Sequence, residues 1–173
     1  METAKTGEEL KQENRRRVLA LLEERGIPYT LEEHPAAHTI QEMMELGLSH
    51  PEWVCKNLFL RDAKGKRHFL VVLEKDKRAD LRLLADRLGS GKLSFASEER
   101  LMRLLGLERG AVTPLGILND AEHAVEMVFD RDLMNHSRLG VHPCVNTATV
   151  WLAPADLRRM VEENGNPIST IEI

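Results

Sequence analysis

The chain has 173 residues, of which 42% are apolar and 30% charged, an ordinary globular balance that excludes disordered and fibrous chains. Its 24 basic and 28 acidic residues leave a net charge of −4, and aromatics are only 4%, which argues against a module that grips polyanions with its whole surface or stacks successive bases on rings. The longest apolar run (Phe69 to Leu73) is far short of the ~20 residues that span a bilayer, the start of the chain has no apolar export segment, and two cysteines cannot build a disulfide framework, so residues 1–173 are expected to form one soluble cytoplasmic domain.

A first helix is predicted from Glu8 to Arg25, with Leu10, Val18, Leu21 and Leu22 on one face and Gly26 as its stop. A short strand follows over Ile27 to Glu33. Thr39-Ile-Gln-Glu42 fits a capping box ahead of a helix through Met43, Met44 and Leu46. Val54 to Arg61 and Arg67 to Leu73 flank Asp62-Ala-Lys-Gly65 as a hairpin, its second arm apolar on both faces and therefore central. Asp80 caps a helix carrying Leu81, Leu84 and Leu88 on one face. Lys92 to Phe95 is a brief strand, and Ser97 caps a helix with Leu101, Leu104 and Leu105 inward. Gly110 to Gly116 is a loop by its Gly and Pro content. Ala124 to Asp130, Leu139 to His142, and Thr147 to Leu152 read as strands, the last with Thr147, Thr149 and Trp151 on one side. Pro154 opens a last helix closed by Asn164-Gly165, and Ile168 to Ile173 is a final strand. This mixture, without strict strand–helix alternation, predicts an α+β fold around one largely antiparallel sheet.

The common phosphate-cradling and hydrolase motifs are absent. His34 and His38 have metal-pair spacing, but Pro35 between them spoils a helix, so no metal site is expected. Three segments stand out. Lys56 opens a strand on the side of Leu58 and Leu60, either as a lysine snorkelling to water or as a partly desolvated ammonium that stabilises negative charge. Gly110 to Pro114 is either a plain turn or a nest of backbone amides able to hold an anion. His142-Pro-Cys-Val-Asn-Thr147 clusters polar groups at a strand entrance, as local turn chemistry or as part of a pocket. Cys144 is a thiol there with nothing to activate it. Basic runs at Arg15-Arg16-Arg17 and Lys64-Gly65-Lys66-Arg67 are read as solvated surface; a nucleic-acid contact, if present, is small and confined to one edge.

Taken together and in this order, Lys56-Asn57-Leu-Phe-Leu-Arg-Asp, Leu93-Ser-Phe-Ala-Ser-Glu-Glu-Arg-Leu101, Gly110-Ala-Val-Thr-Pro114, Asn119-Asp120 and Val141-His-Pro-Cys-Val-Asn-Thr-Ala-Thr149 resemble the YbaK/ProX-type aminoacyl-tRNA deacylases. They are also similar to the editing insertion domain of bacterial prolyl-tRNA synthetases. The resemblance runs from about Val18 to the end. It implies a mixed α/β domain with a mostly antiparallel, partly barrel-like sheet surrounded by helices, and a metal- and cofactor-independent ester hydrolase. It further implies that Lys56 is central to activity, and that Gly110, Ala111, Val112, Thr113 and Pro114 line the amino-acid pocket. Asn146 and Thr147 would hold the terminal adenosine or the aminoacyl group, with His142 and Asn57 beside them. The implied substrate is the acceptor end of mischarged proline tRNA, most similar in wording to the free-standing proteins that clear alanine, with a prolyl-tRNA synthetase as a partner. Clearance of cysteine and a non-catalytic adaptor of the same fold are the alternatives.

Overall fold

The structure, a computed structural model, describes residues 4–173; the first three residues of the polar N-terminal stretch lie outside the described residues. Helices begin where a side chain can take the first unpaired amides. Thr6 accepts from the amide of Glu9, and Glu9 Oε2 accepts from the amide of Thr6, closing a capping box ahead of α1 (Gly7–Glu24). The box expected ahead of α2 (Ile40–Glu45) forms only in half. Thr39 Oγ1 accepts from the amide of Glu42 at 3.1 Å, but the Glu42 carboxylate turns to the amide of His38 at 2.5 Å and ties down the incoming loop instead. Asp80 and Ser97 cap α3 (Leu81–Leu88) and α4 (Glu98–Leu105), and α5 (Pro154–Asn164) starts with proline in its first turn.

The strands form two sheets, where the sequence pattern suggested one. In the smaller sheet, β7 (Ala148–Leu152) lies between β1 (Tyr29–Glu33) and β6 (Leu139–Val141), antiparallel to both; Thr147 precedes it. The larger sheet begins with β4 (Leu93–Phe95), β2 (Cys55–Asp62) and β3 (His68–Glu74), all antiparallel. It continues with β5 (Val125–Asp130) and β8 (Ile168–Ile171), each added in parallel. Both parallel joins follow helical crossovers, which a parallel connection needs. The β2–β3 turn is held by Asp62, whose carboxylate accepts from the amides of Lys66 and Arg67, and by Gly65 at a φ of +66°. The two sheets meet where Val54 bridges Gly140.

The central strand β3 is sealed on both faces. Leu70 and Val72 join a buried cluster shared with α1, α4, α5 and the smaller sheet, while Phe69, Val71 and Leu73 pack with Leu84 and Ala85 of α3. Helix α1 docks through Val18 and Leu22; Leu10, expected on the same face, is 45% exposed because no apolar neighbour accompanies it on that half of the helix. A third cluster gathers Trp53 and Trp151, ring centroids 6.4 Å apart, with Ala37, Met43 and Val54. Trp151 lies over Gly140 so closely that a Cβ there would stand 2.4 Å from Cζ3, and its Nε1 donates to Glu32 at 3.1 Å.

Candidate functional site

At the seam between the sheets, β2, β6, the start of α4 and the segments before α2 and after α4 enclose a cavity of about 810 Å³. Strand alternation sorts β2 across this seam. Asn57 pairs with Val72 on the face of the larger buried cluster, whereas Lys56 pairs with Leu73 on the opposite face. Lys56 still contributes to the cavity wall, but its Nζ donates to the carbonyl of Lys77 at 3.2 Å. Lys77 is in turn fixed by the fully buried carboxylate of Asp130 at 2.9 Å and by Asp132 at 2.6 Å. The side-chain amide of Asn57 lines the cavity with a buried Oδ1 that has no partner among the described residues. A buried acceptor left unpaired is costly, which makes it a natural receptor for a ligand donor.

Of the loop after α4, Arg109, Gly110 and Val112 face the cavity. Ala111, Thr113 and Pro114, expected in the wall, are buried behind it. Thr113 acts as a clamp between the loop and the strand entrance. Its hydroxyl donates to the carbonyl of His142 at 2.6 Å and accepts from the amide of Leu115. The amide of Ala111 is taken by Glu108, while the amides of Val112 and Thr113 have no acceptor among the described residues. Gly110 has a φ of +89°, and a Cβ there would meet His38 Nδ1 at 2.9 Å, so both conformation and space demand glycine.

His142 lines the cavity and donates from Nδ1 to the carbonyl of Ala148 at 2.9 Å, leaving the Nε2 lone pair available. Asn146 and Thr147 do not reach the wall. Their backbone carbonyls accept from Ala37 and His34, and the Asn146 amide touches His38 at the rim, so they shape the segment before α2 from outside. Phe95 and Thr149, which the motifs contain but give no role, are wall residues, as is His38, which the sequence offered only as half of a metal pair. Thr149, on the side of Trp151 in an alternating strand, is 1% exposed and its hydroxyl meets His34 Nε2 at 2.8 Å. Cys144 is buried and pushed up to about 12 by desolvation, so it offers no thiolate at neutral pH. Asp120 is equally buried and spends its carboxylate on the amides of Ala124 and Val125 and on Asn166. Glu74, Asp130 and Asp132 lie close enough together to hold an ion but border no part of the cavity, and Lys77 and His136 already sit on them.

Burial holds His142 below the ordinary imidazole value, and burial followed by Arg100, Arg103 and Arg61 does the same to His68. Below a pH of about 6.5 the unfolded chain takes up protons that these folded imidazoles refuse. Stability contributed by the neutral rings is therefore present above that pH and is lost as pH falls towards their lowered folded values. Thermal melts between pH 8 and 5 should show the melting temperature falling below about pH 6.5, with a shallower fall in a His68→Gln/His142→Gln variant. An equal slope in both would assign the acid lability to other groups.

Residues 34–160 match the aminoacyl-tRNA editing domain, most of the chain. The protein belongs to the aminoacyl-tRNA editing domain family. Among curated relatives, this editing-domain chain is 50% identical over 156 residues to the prolyl-tRNA editing protein ProX of Acetoanaerobium sticklandii, covering 90% of this chain and 95% of that one. It is 40% identical over 152 residues to prolyl-tRNA synthetase associated domain-containing protein 1 of Danio rerio, covering 86% of this chain and 82% of the relative. The fold matches the crystal structure of a candidate trans-editing enzyme for prolyl tRNA synthetase with a TM-score of 0.70 at 24% identity, over 92% of this chain and 97% of that one. The mixed α/β editing-domain architecture expected from the resemblance is thus the one observed. Among the described residues, no helix is long and apolar enough to cross a membrane.

Proposed function

We propose that this editing domain is a trans-acting hydrolase that removes alanine from mischarged proline tRNA in the cytoplasm, on substrate released by a prolyl-tRNA synthetase. The observation that carries the reading is the 50% identity to a prolyl-tRNA editing protein across nearly the full length of both chains. The site chemistry is consistent with it. An aminoacyl ester is already activated, so hydrolysis needs a positioned water and donors for the oxyanion rather than an acid–base triad. Water adds to the ester carbonyl carbon, the acyl–oxygen bond breaks, the ribose oxygen takes one of the water's protons, and the amino acid leaves as its carboxylate while the other proton passes to solvent. The unpaired amide of Val112 is the oxyanion donor we assign, with the Lys56 ammonium joining it when its flexible stem leaves the Lys77 carbonyl. Asn57 Oδ1 and the neutral Nε2 of His142 are acceptors for the substrate ammonium, a ribose hydroxyl or the attacking water.

Val112 is the wall that we assign to size selection. A synthetase pocket built for proline rejects a smaller side chain by only about 1–3 kcal/mol, so a second, tighter pocket must complete the discrimination. Single-turnover deacylation of proline tRNA charged with alanine, cysteine, serine or proline tests this. Wild type should cleave alanine fastest and spare proline, and Val112→Ala should raise cleavage of the larger groups more than it lowers that of alanine. Faster cysteine cleavage by wild type would make the protein a cysteine-clearing enzyme, and equal proline cleavage would remove the size sieve. Binding without cleavage of any ester would leave an adaptor.

A further inference from the structure

We infer that the edge formed by the β2–β3 turn and α4 docks the phosphate backbone of an RNA acceptor stem, with Phe95 stacking an unpaired base where that edge meets the cavity. This rests on the editing reading for the identity of the RNA, but the surface is visible without it. Arg61, Lys64 and Lys66 on the hairpin and Arg100 and Arg103 on α4 have no carboxylate within 4.0 Å among the described residues, in contrast to neighbouring Arg67 and Arg109, which pair with Glu126 and Glu98. The partners that the two half-buried guanidiniums do have are neutral. Arg61 donates to the carbonyls of Asp62 and Ala63, and Arg100 donates to the carbonyl of Gly65 and to His68 Nε2 at 2.9 Å. Burial and the surrounding arginines lower the pKa of His68, and because a guanidinium can only donate, Nε2 is the acceptor in its contact with Arg100. Asp62, the acid of the turn, is engaged by the amides of Lys66 and Arg67.

Arg61 and Arg100 also converge. A Cβ on Gly65 would lie 3.0 Å from Arg100 Nη2 and 3.1 Å from Arg61 Nη2, so two like charges gather over one glycine in a protein whose net charge is −4. Juxtaposed cations without an acid are relieved by an anion. In the other basic run Arg15 pairs with Glu33, Arg16 lies in a groove with Glu9 and Glu13, and Arg17 donates to Asn14 Oδ1. The cations span two elements on an open edge, which suits a polyanion better than a single enclosed phosphate. Phe95 is 64% exposed on the edge strand β4, yet it belongs to the cavity wall with Ala96 and Ser97. An exposed ring there offers a stacking platform for a single-stranded terminus that enters the cavity.

The test measures binding of an uncharged proline-tRNA acceptor-stem minihelix by fluorescence anisotropy between 50 and 200 mM salt, for wild type and for Lys64→Glu/Lys66→Glu/Arg103→Glu. A control of equal charge change, Arg16→Glu/Arg82→Glu/Arg159→Glu, removes the contribution of net charge. The edge variant should bind at least about ten-fold more weakly and its salt slope should shrink by about 2–3, while the control stays within roughly three-fold of wild type. Phe95→Ser should weaken minihelix binding by about five-fold or more without changing the salt slope. Equal losses in edge and control variants, or an unchanged salt slope in the edge variant, would overturn the assignment. Because the probe carries no ester, its binding is independent of hydrolysis. A wild type that binds the minihelix in this manner but cleaves no aminoacyl ester refutes the editing reading and leaves the surface standing, whereas ester cleavage without minihelix binding does the reverse.

Discussion

Changing Lys56 to alanine should reduce deacylation by about 100-fold or more, the scale on which removal of one donor to a developing oxyanion is felt. The fold should tolerate the change. The Lys56 stem lies along a strand edge, its ammonium satisfies a single backbone carbonyl, and the half-exposed Lys77 segment can turn that carbonyl to water. The melting temperature should therefore stay within about 2 °C of wild type, since a 1 kcal/mol change moves a domain of this size by roughly 2–4 °C. Arginine should rescue poorly, because a planar fork does not substitute for a compact ammonium on a flexible stem. Single-turnover rates beside melting curves decide the matter. Near-normal turnover in Lys56→Ala would move the chemistry to Asn57 and the Val112 amide.

The opposite pattern is expected at Asp130, where the largest stability loss should occur. Its carboxylate is fully buried at the end of β5 and accepts from the Lys77 ammonium and from the amides of Glu74 and Asp132. One side chain thus ties the end of β3, the turn after it and the turn after β5. Asp130→Ala would leave an ammonium and two amides facing a void, a loss of about 3 kcal/mol, and should lower the melting temperature by roughly 6–12 °C. Asp130→Asn keeps the volume and one acceptor oxygen and should fall between. Differential scanning calorimetry of the three proteins checks the order; an alanine variant melting within about 2 °C of wild type would show that Asp132 alone anchors Lys77.

What could be read from the sequence was whatever is settled within a few residues. The caps at Asp80 and Ser97, the hairpin turn from Asp62 to Gly65 and the two-faced apolar β3 all depend on local hydrogen bonds or on strict alternation, and they stand as read. Strand direction was not legible, because the pattern of β5 and β8 is the same whether they join in parallel or antiparallel. Within the site, the family resemblance named Lys56, Asn57, Gly110, Val112 and His142, all of which line the cavity. It could not show that Thr113 faces away to hold the His142 carbonyl, since that bond spans 29 residues. Nor could it find His38, which matters through its approach to Gly110 and Asn146 from a distant loop. The capping-box motif at Thr39 misled for a related reason: the glutamate found a nearer amide one residue upstream.

The pairing of Trp53 with Trp151 has an optical consequence. The chain contains only these two tryptophans, and both stand in the cluster whose members Ala37, Met43 and Val54 also face the cavity. Indole emission from this protein therefore reports on one rim of the cavity and on little else. His50 stacks on Trp53 at 4.0 Å and meets Trp151 edge-on at 5.8 Å, so both indoles share one imidazole neighbour. A ligand that shifts the segment before α2 will register in the emission without any added label. Loosening of the five-stranded sheet alone will stay dark, which makes tryptophan fluorescence a readout of occupancy in this protein and a poor measure of local opening in that sheet.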